Sequence, residues 1–103
     1  MGEPTVAVVI PTHGGRFLPA AVASVQAQTV ADWELIIVDD GSTDGTAAIA
    51  VGLAAQDARI RVVTNARNVG IAGARNRGLA AISPAVKYVA FVDHDDVWLP
   101  DAL

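Results

Sequence analysis

Two apolar runs in this chain stop abruptly in carboxylates, and that pattern restricts the fold more than any other feature. Trp33-Glu34-Leu35-Ile36-Ile37-Val38 runs into Asp39-Asp40-Gly41-Ser42, and Tyr88-Val89-Ala90-Phe91-Val92 runs into Asp93-His94-Asp95-Asp96. Short apolar runs of this kind read as buried strands of a sheet covered by helices. In open parallel sheets, ligands sit outside the carboxyl ends of the strands, where the loops carry the chemistry. Both sets of acids therefore stand where such a sheet would work.

The rest of the chain agrees with that sheet. Thr5 to Ile10 is a β-branched run halted by Pro11, expected to be a strand buried on both faces. Leu18, Val22 and Val25 recur at helical spacing between Phe17 and Ala27, with Pro19 in the first turn, where its missing N–H is tolerated. Ser42 or Thr43 is expected to cap a helix continued by Ala47 to Ala55, with Asp44 favourable near its start. Ile60 to Thr64 reads as a third strand, Ile71 to Ala81 as an alanine-rich helix ended by Ser83-Pro84, and Lys87 to Val92 as the fourth strand. Strands alternating with helices of roughly ten residues give an α/β architecture: Rossmann-like, doubly wound, with a mainly parallel sheet of about four strands. Residues 1–103 are expected to be one domain, large enough to hold a core.

Composition removes several classes of function. Only 17% of residues are charged and 52% are hydrophobic, so the chain has the means to bury a core. Net charge is −4 with no basic block, which argues against a nucleic-acid surface. No cysteine is present, so disulfides, thiolate metal sites and cysteine nucleophiles are excluded. No apolar run reaches the length of a membrane span, and Met1-Gly2-Glu3-Pro4 lacks the features of a signal peptide, so the default expectation is a cytoplasmic protein. Leu99-Pro100-Asp101-Ala102-Leu103 reads as the start of a further element, as if the chain were cut there.

In extended backbone Asp93 and Asp95 project to one side and His94 and Asp96 to the other. Two carboxylates roughly 6 Å apart at an effective dielectric of about 20 repel by about 3 kcal/mol, which a proton or a cation must relieve. Mg2+ or Mn2+ suits such oxygens. The plainer alternative is a polar turn whose aspartates cap the next helix, and the same alternative stands for Asp39-Asp40. An aspartate at that second position also suits hydrogen bonds to a nucleobase imide or a ribose hydroxyl. Between Asn68 and Gly78, Gly73 and Gly78 each cost a helix about 1 kcal/mol, which points to close approach of backbone or ligand, or to helix–sheet packing. Arg75 and Arg77 face different ways on a helix, and Arg75 is preferred as the one facing the site. Neither a dinucleotide fingerprint nor a Walker loop follows the first strand, and no serine stands in a nucleophile elbow.

Four motifs in this order, Val8-Val9-Ile10-Pro11-Thr12, Ile37-Val38-Asp39-Asp40-Gly41-Ser42-Thr43-Asp44-Gly45-Thr46, Asn68-Val69-Gly70 with Ala74-Arg75-Asn76, and Phe91-Val92-Asp93-His94-Asp95-Asp96, resemble family 2 glycosyltransferases. That resemblance implies a GT-A fold and inverting transfer of a sugar from a nucleotide-diphosphate sugar, a UDP-sugar most often, to an acceptor that the sequence does not name. It implies a DxD motif in Asp93-His94-Asp95, the first acid addressing the ribose or sugar and the second holding the metal on the diphosphate. It assigns Asp40 to reading the base with Asp39 beside it, Pro11, Thr12 and His13 to cradling that base, and Asn68, Gly70 and Arg75 to closing the pocket. A metal bridging carboxylates and diphosphate stabilises the leaving group.

The chain departs from the family pattern in two places. Relatives often carry Tyr-Asn where His13-Gly14 stands, so base stacking would fall to an imidazole. The family's catalytic base belongs to a later acidic motif, expected beyond Leu103, so no residue here is assigned that role and the donor-binding half is expected not to transfer sugar alone. An incomplete sheet is expected to leave apolar surface and a free edge, and hence to self-associate. Two other functions compete: a nucleotidyltransferase-like enzyme, which would want a glycine-rich basic loop at Pro11 to Arg16, and a phosphoryl-accepting receiver domain, which would want a lysine near the end of its last strand, whereas Lys87 stands at the start.

Overall fold

The computed structural model describes residues 4–12, 18–28, 32–42, 45–84 and 86–92. Its elements are β1 (Val6–Thr12), α1 (Leu18–Gln26), β2 (Trp33–Asp40), α2 (Thr46–Gln56), β3 (Ile60–Asn65), α3 (Gly70–Ala80) and β4 (Tyr88–Phe91). The strands form one parallel sheet in the order β3-β2-β1-β4. The α/β, doubly wound expectation holds.

Alternation along the strands divides the core in two. Val8, Ile10, Trp33, Leu35 and Ile37 face α1 and α2, meeting Leu18, Val22, Val25 and Ala50. Val9, Ile36 and Val38 face α3 and meet Ala74. Each fully buried Val, Leu or Ile in these layers stabilises the fold by about 1.5–3 kcal/mol. Gly78 owes its place to this second layer, because a Cβ there would collide with the Val9 side chain and press on Val38. Helix–sheet packing, rather than a ligand, explains that glycine.

Three local expectations are corrected. Pro11 does not halt β1, which continues to Thr12 in register with Asp39. Val9 turns its carbonyl towards β4, accepting from Val92 N–H at 3.0 Å. Backbone alternation turns the Pro11 nitrogen the same way, so its missing N–H costs nothing in the ladder with β2. Ser42 does not cap α2, whose N-cap is Gly45, at φ 87° and without a side-chain cap bond, and Thr43 lies outside the described residues. Nor is the last strand buried. β4 is the outer strand, with Tyr88 65% exposed and Val89 and Phe91 open to solvent, and only the following Val92 reaches the core. Among the described residues no helix is long and apolar enough to cross a membrane.

Candidate nucleotide-binding edge

The chain runs β1 to β2 to β3 outward in one direction, then returns to set β4 on the other side of β1. The winding therefore reverses between β1 and β4, and the carboxyl ends of those strands flank the crevice where open α/β sheets take ligands. Pro11 and Thr12 end β1 at that crevice, and Val92 leads β4 into it. His13, Asp93 and Asp95 lie outside the described residues.

β2 carries both of its aspartates inside the strand rather than in a turn. Strand alternation sends them to opposite faces, which spares two adjacent charges from sharing one volume. Asp39, 1% exposed, lies beside Thr12 of β1 and Thr64 of β3 and accepts from Ser42 N–H at 3.1 Å, folding the start of the loop after the strand. Asp40, 4% exposed, is paired in register with Asn65. Its Oδ1 accepts from Asn65 Nδ2 at 2.8 Å and from Val69 N–H at 2.9 Å, and its Oδ2 accepts from Gly70 N–H at 3.0 Å. Asn68 Oδ1 also accepts from Gly70 N–H, at 2.8 Å. The edge thus brings together Pro11, Thr12, Asp39, Asp40, Asn68 and Gly70.

Gly41 makes this close assembly possible. It adopts φ 75°, and a Cβ there would stand 2.5 Å from the Asn68 nitrogen, so the chain leaving β2 presses directly on the loop before α3. Arg75 lies further along α3, exposed, with its guanidinium carbon 5.2 Å from the centroid of the Phe91 ring. That contact puts a cation beside the last residue of β4, two positions before Asp93. The strand expected over Ile60 to Thr64 stops one residue short of Asn65, which ends β3. The signal was available: it ends β3 in a polar side chain just as Asp39 and Asp40 end β2.

The donor set tests where a metal belongs. Among the described residues no three His, Cys, Asp or Glu side chains gather closely enough to hold an ion. Asp40 has both oxygens turned onto N–H donors, which is the surroundings of a structural carboxylate rather than of a ligand. Asp93 and Asp95, the pair expected from the sequence to suit Mg2+ or Mn2+, lie outside the described residues.

Comparison with known proteins agrees with this geometry. The model of Glycosyl transferase family 2 matches residues 7–103. The chain belongs to glycosyl transferase family 2. It is 43% identical over 102 residues to the putative teichuronic acid biosynthesis glycosyltransferase TuaG of Bacillus subtilis, covering 98% of this chain and 40% of that protein. Among solved structures, S. aureus TarS 1-349 in complex with UDP superposes with a TM-score of 0.83 at 27% identity, over 93% of this chain and 29% of that one. The mannosyltransferase PcManGT from Pyrobaculum calidifontis, in complex with GDP-Man and Mn2+, gives a TM-score of 0.80 at 24% identity, over 94% of this chain and 29% of that one, a likeness of fold. The sheet is thus of the GT-A type. The chain spans about 40% of the length of curated relatives it matches. Family membership sets aside the nucleotidyltransferase-like and receiver readings.

Proposed function

We propose that residues 1–103 form the nucleotide-sugar-binding part of an inverting glycosyltransferase, which takes its sugar from a UDP-sugar. The observation that carries the reading is the return of the chain to place β4 beside β1, at a carboxyl edge already holding Thr12, Asp39, Asp40, Asn68 and Gly70. A solved relative with 27% identity that binds UDP supports the choice of nucleotide.

In this reading Pro11, Thr12 and His13 cradle the base, with Asp39 and Asp40 at its floor. Asn68, Gly70 and Arg75 close the pocket, and the guanidinium of Arg75 offers charge to the diphosphate. Asp93 addresses the ribose or sugar, and Asp93 and Asp95 hold Mg2+ or Mn2+. The ion, when bound, supplies Lewis-acid stabilisation of the departing diphosphate. No residue of this chain is assigned as the base that deprotonates the acceptor. Calorimetric titration of UDP with and without Mn2+, on the chain and on Asp95→Ala, tests this: binding should need the ion and fall at least tenfold in the variant, about 1.4 kcal/mol. Binding indifferent to both would remove the donor-site reading.

The bare outer strand supports a second element of the proposal, self-association. Tyr88, Val89 and Phe91 are exposed on a strand with no neighbour on its outer side among the described residues. Light scattering at high concentration should give a dimer or larger species, and a clean monomer would count against it.

A further inference from the structure

We propose that Asp40 is the positioning residue of the nucleotide edge: its buried carboxylate caps α3 from a distance and thereby fixes where Asn68 and Arg75 stand. For its effect on binding, this rests on the donor-site reading above.

The first amides of a helix have no partner within it. At α3 the residue in the N-cap position is Val69, whose side chain offers no acceptor, and no side-chain cap bond is made from there. Gly70 opens the helix at φ 86°, the left-handed region that glycine enters without strain. The acceptors come from elsewhere. Asn68 takes the Gly70 N–H locally, while Asp40, thirty residues earlier on β2, takes Val69 N–H and Gly70 N–H on separate oxygens. Negative charge at that end is favoured by the helix dipole, and burying it is tolerable because the N–H groups and Asn65 solvate it.

A second observation ties the same two segments together. At Gly41, one residue past Asp40, any side chain would strike the backbone of Arg67 and Asn68. The strand end and the loop before α3 are therefore locked by contact as well as by hydrogen bonds. Further along, Ala74 is buried against the sheet, and Arg75 beside it reaches the Phe91 ring of β4. α3 thus runs as one body from the Asp40 cap to the end of β4. Loosening its first turn shifts Asn68 directly and relaxes the register that holds Arg75 beside β4.

The cap is tested by Asp40→Asn, which keeps shape but turns an N–H2 onto an N–H. The cap predicts, in the nucleotide-free 103-residue chain, amide hydrogen exchange at Val69 and Gly70 faster by about tenfold. It further predicts weaker UDP binding, and little additional loss when Arg75→Ala is combined with Asp40→Asn. Asn65→Ala, which leaves the carboxylate but removes one of its donors, should move the same two amides by a smaller factor and serves if the first variant does not fold. Unchanged exchange in the variants overturns the proposal, as does full additivity with Arg75→Ala. If the wild-type chain binds no nucleoside diphosphate, the donor-site reading fails while the exchange comparison still decides the cap.

Discussion

The two ends of the sheet both bury acids, and they settle them by different means. At the amino end, Glu34 of β2 accepts from Arg61 of β3 at 3.0 Å, from Ser83 N–H at 2.9 Å and from the Ser83 hydroxyl. Nearby, Asp57 pairs with Arg59 at 2.9 Å, and that guanidinium lies over the Trp33 ring, 3.7 Å from its centroid. At the carboxyl end, Asp39 and Asp40 accept N–H groups from the loops that follow β2 and β3. Ion pairs at the amino end fasten one element to another and finish there. Acids at the carboxyl end shape loops, and loops on a rigid scaffold are where binding groups are carried.

That contrast makes unequal predictions for stability and for binding. The largest effect should come from Glu34→Ala, which strands the half-buried Ser83 N–H and releases the link between β2, β3 and the approach to β4. Because Arg61 is half exposed and can turn to water, the loss should be roughly 2–3 kcal/mol rather than that of a fully buried pair. Urea unfolding should show a lower midpoint at unchanged slope, with UDP affinity of the folded variant unaltered. A variant that stayed stable but lost UDP binding would break the division between the two ends.

Much of this layout was legible in the sequence because strand signals are local. The β-branched run of β1 and the apolar run of β2 were found with their ends misplaced by one or two residues, since an apolar run says where burial occurs and not where pairing stops. Pro11 reads as a stop because proline removes a donor, but its nitrogen faces away from the β2 ladder. β4 looked buried for a reason that composition cannot correct: Tyr88, Val89 and Phe91 are the residues of a core strand, and only the sheet order exposes them. Glu34 was hidden as one acid inside an apolar run, although an acid sharing a face with Ile36 and Val38 demands a partner. The Asp40 cap was out of reach, because its donors are 25 to 30 residues away and meet it only after the chain has crossed through α2 and β3.

A smaller effect should appear in acid. Hydrogen bonding from Arg59, opposed by burial, lowers the Asp57 pKa from 3.8 to about 2. A folded-state value below the unfolded one means that Asp57 stabilises the chain above about pH 4 and that this contribution fades as pH falls from about 4 to 2. Since Arg59 is 41% exposed, solvent screens the pair and the change should be slight. Urea midpoints measured across that range should fall less steeply in Arg59→Ala than in the parent chain. An equal slope in both would show that this pair contributes nothing.

The central claim, that the carboxyl end of the sheet is the ligand end, is tested most directly by following the backbone amides of the nitrogen-15-labelled chain by nuclear magnetic resonance during titration with UDP and Mg2+. Shifts are expected at Thr12, Asp39 to Ser42 and Asn68 to Gly70, with Trp33 to Leu35 and Asp57 to Arg61 left in place. Shifts concentrated at the amino end, or spread evenly over both ends, would contradict the account.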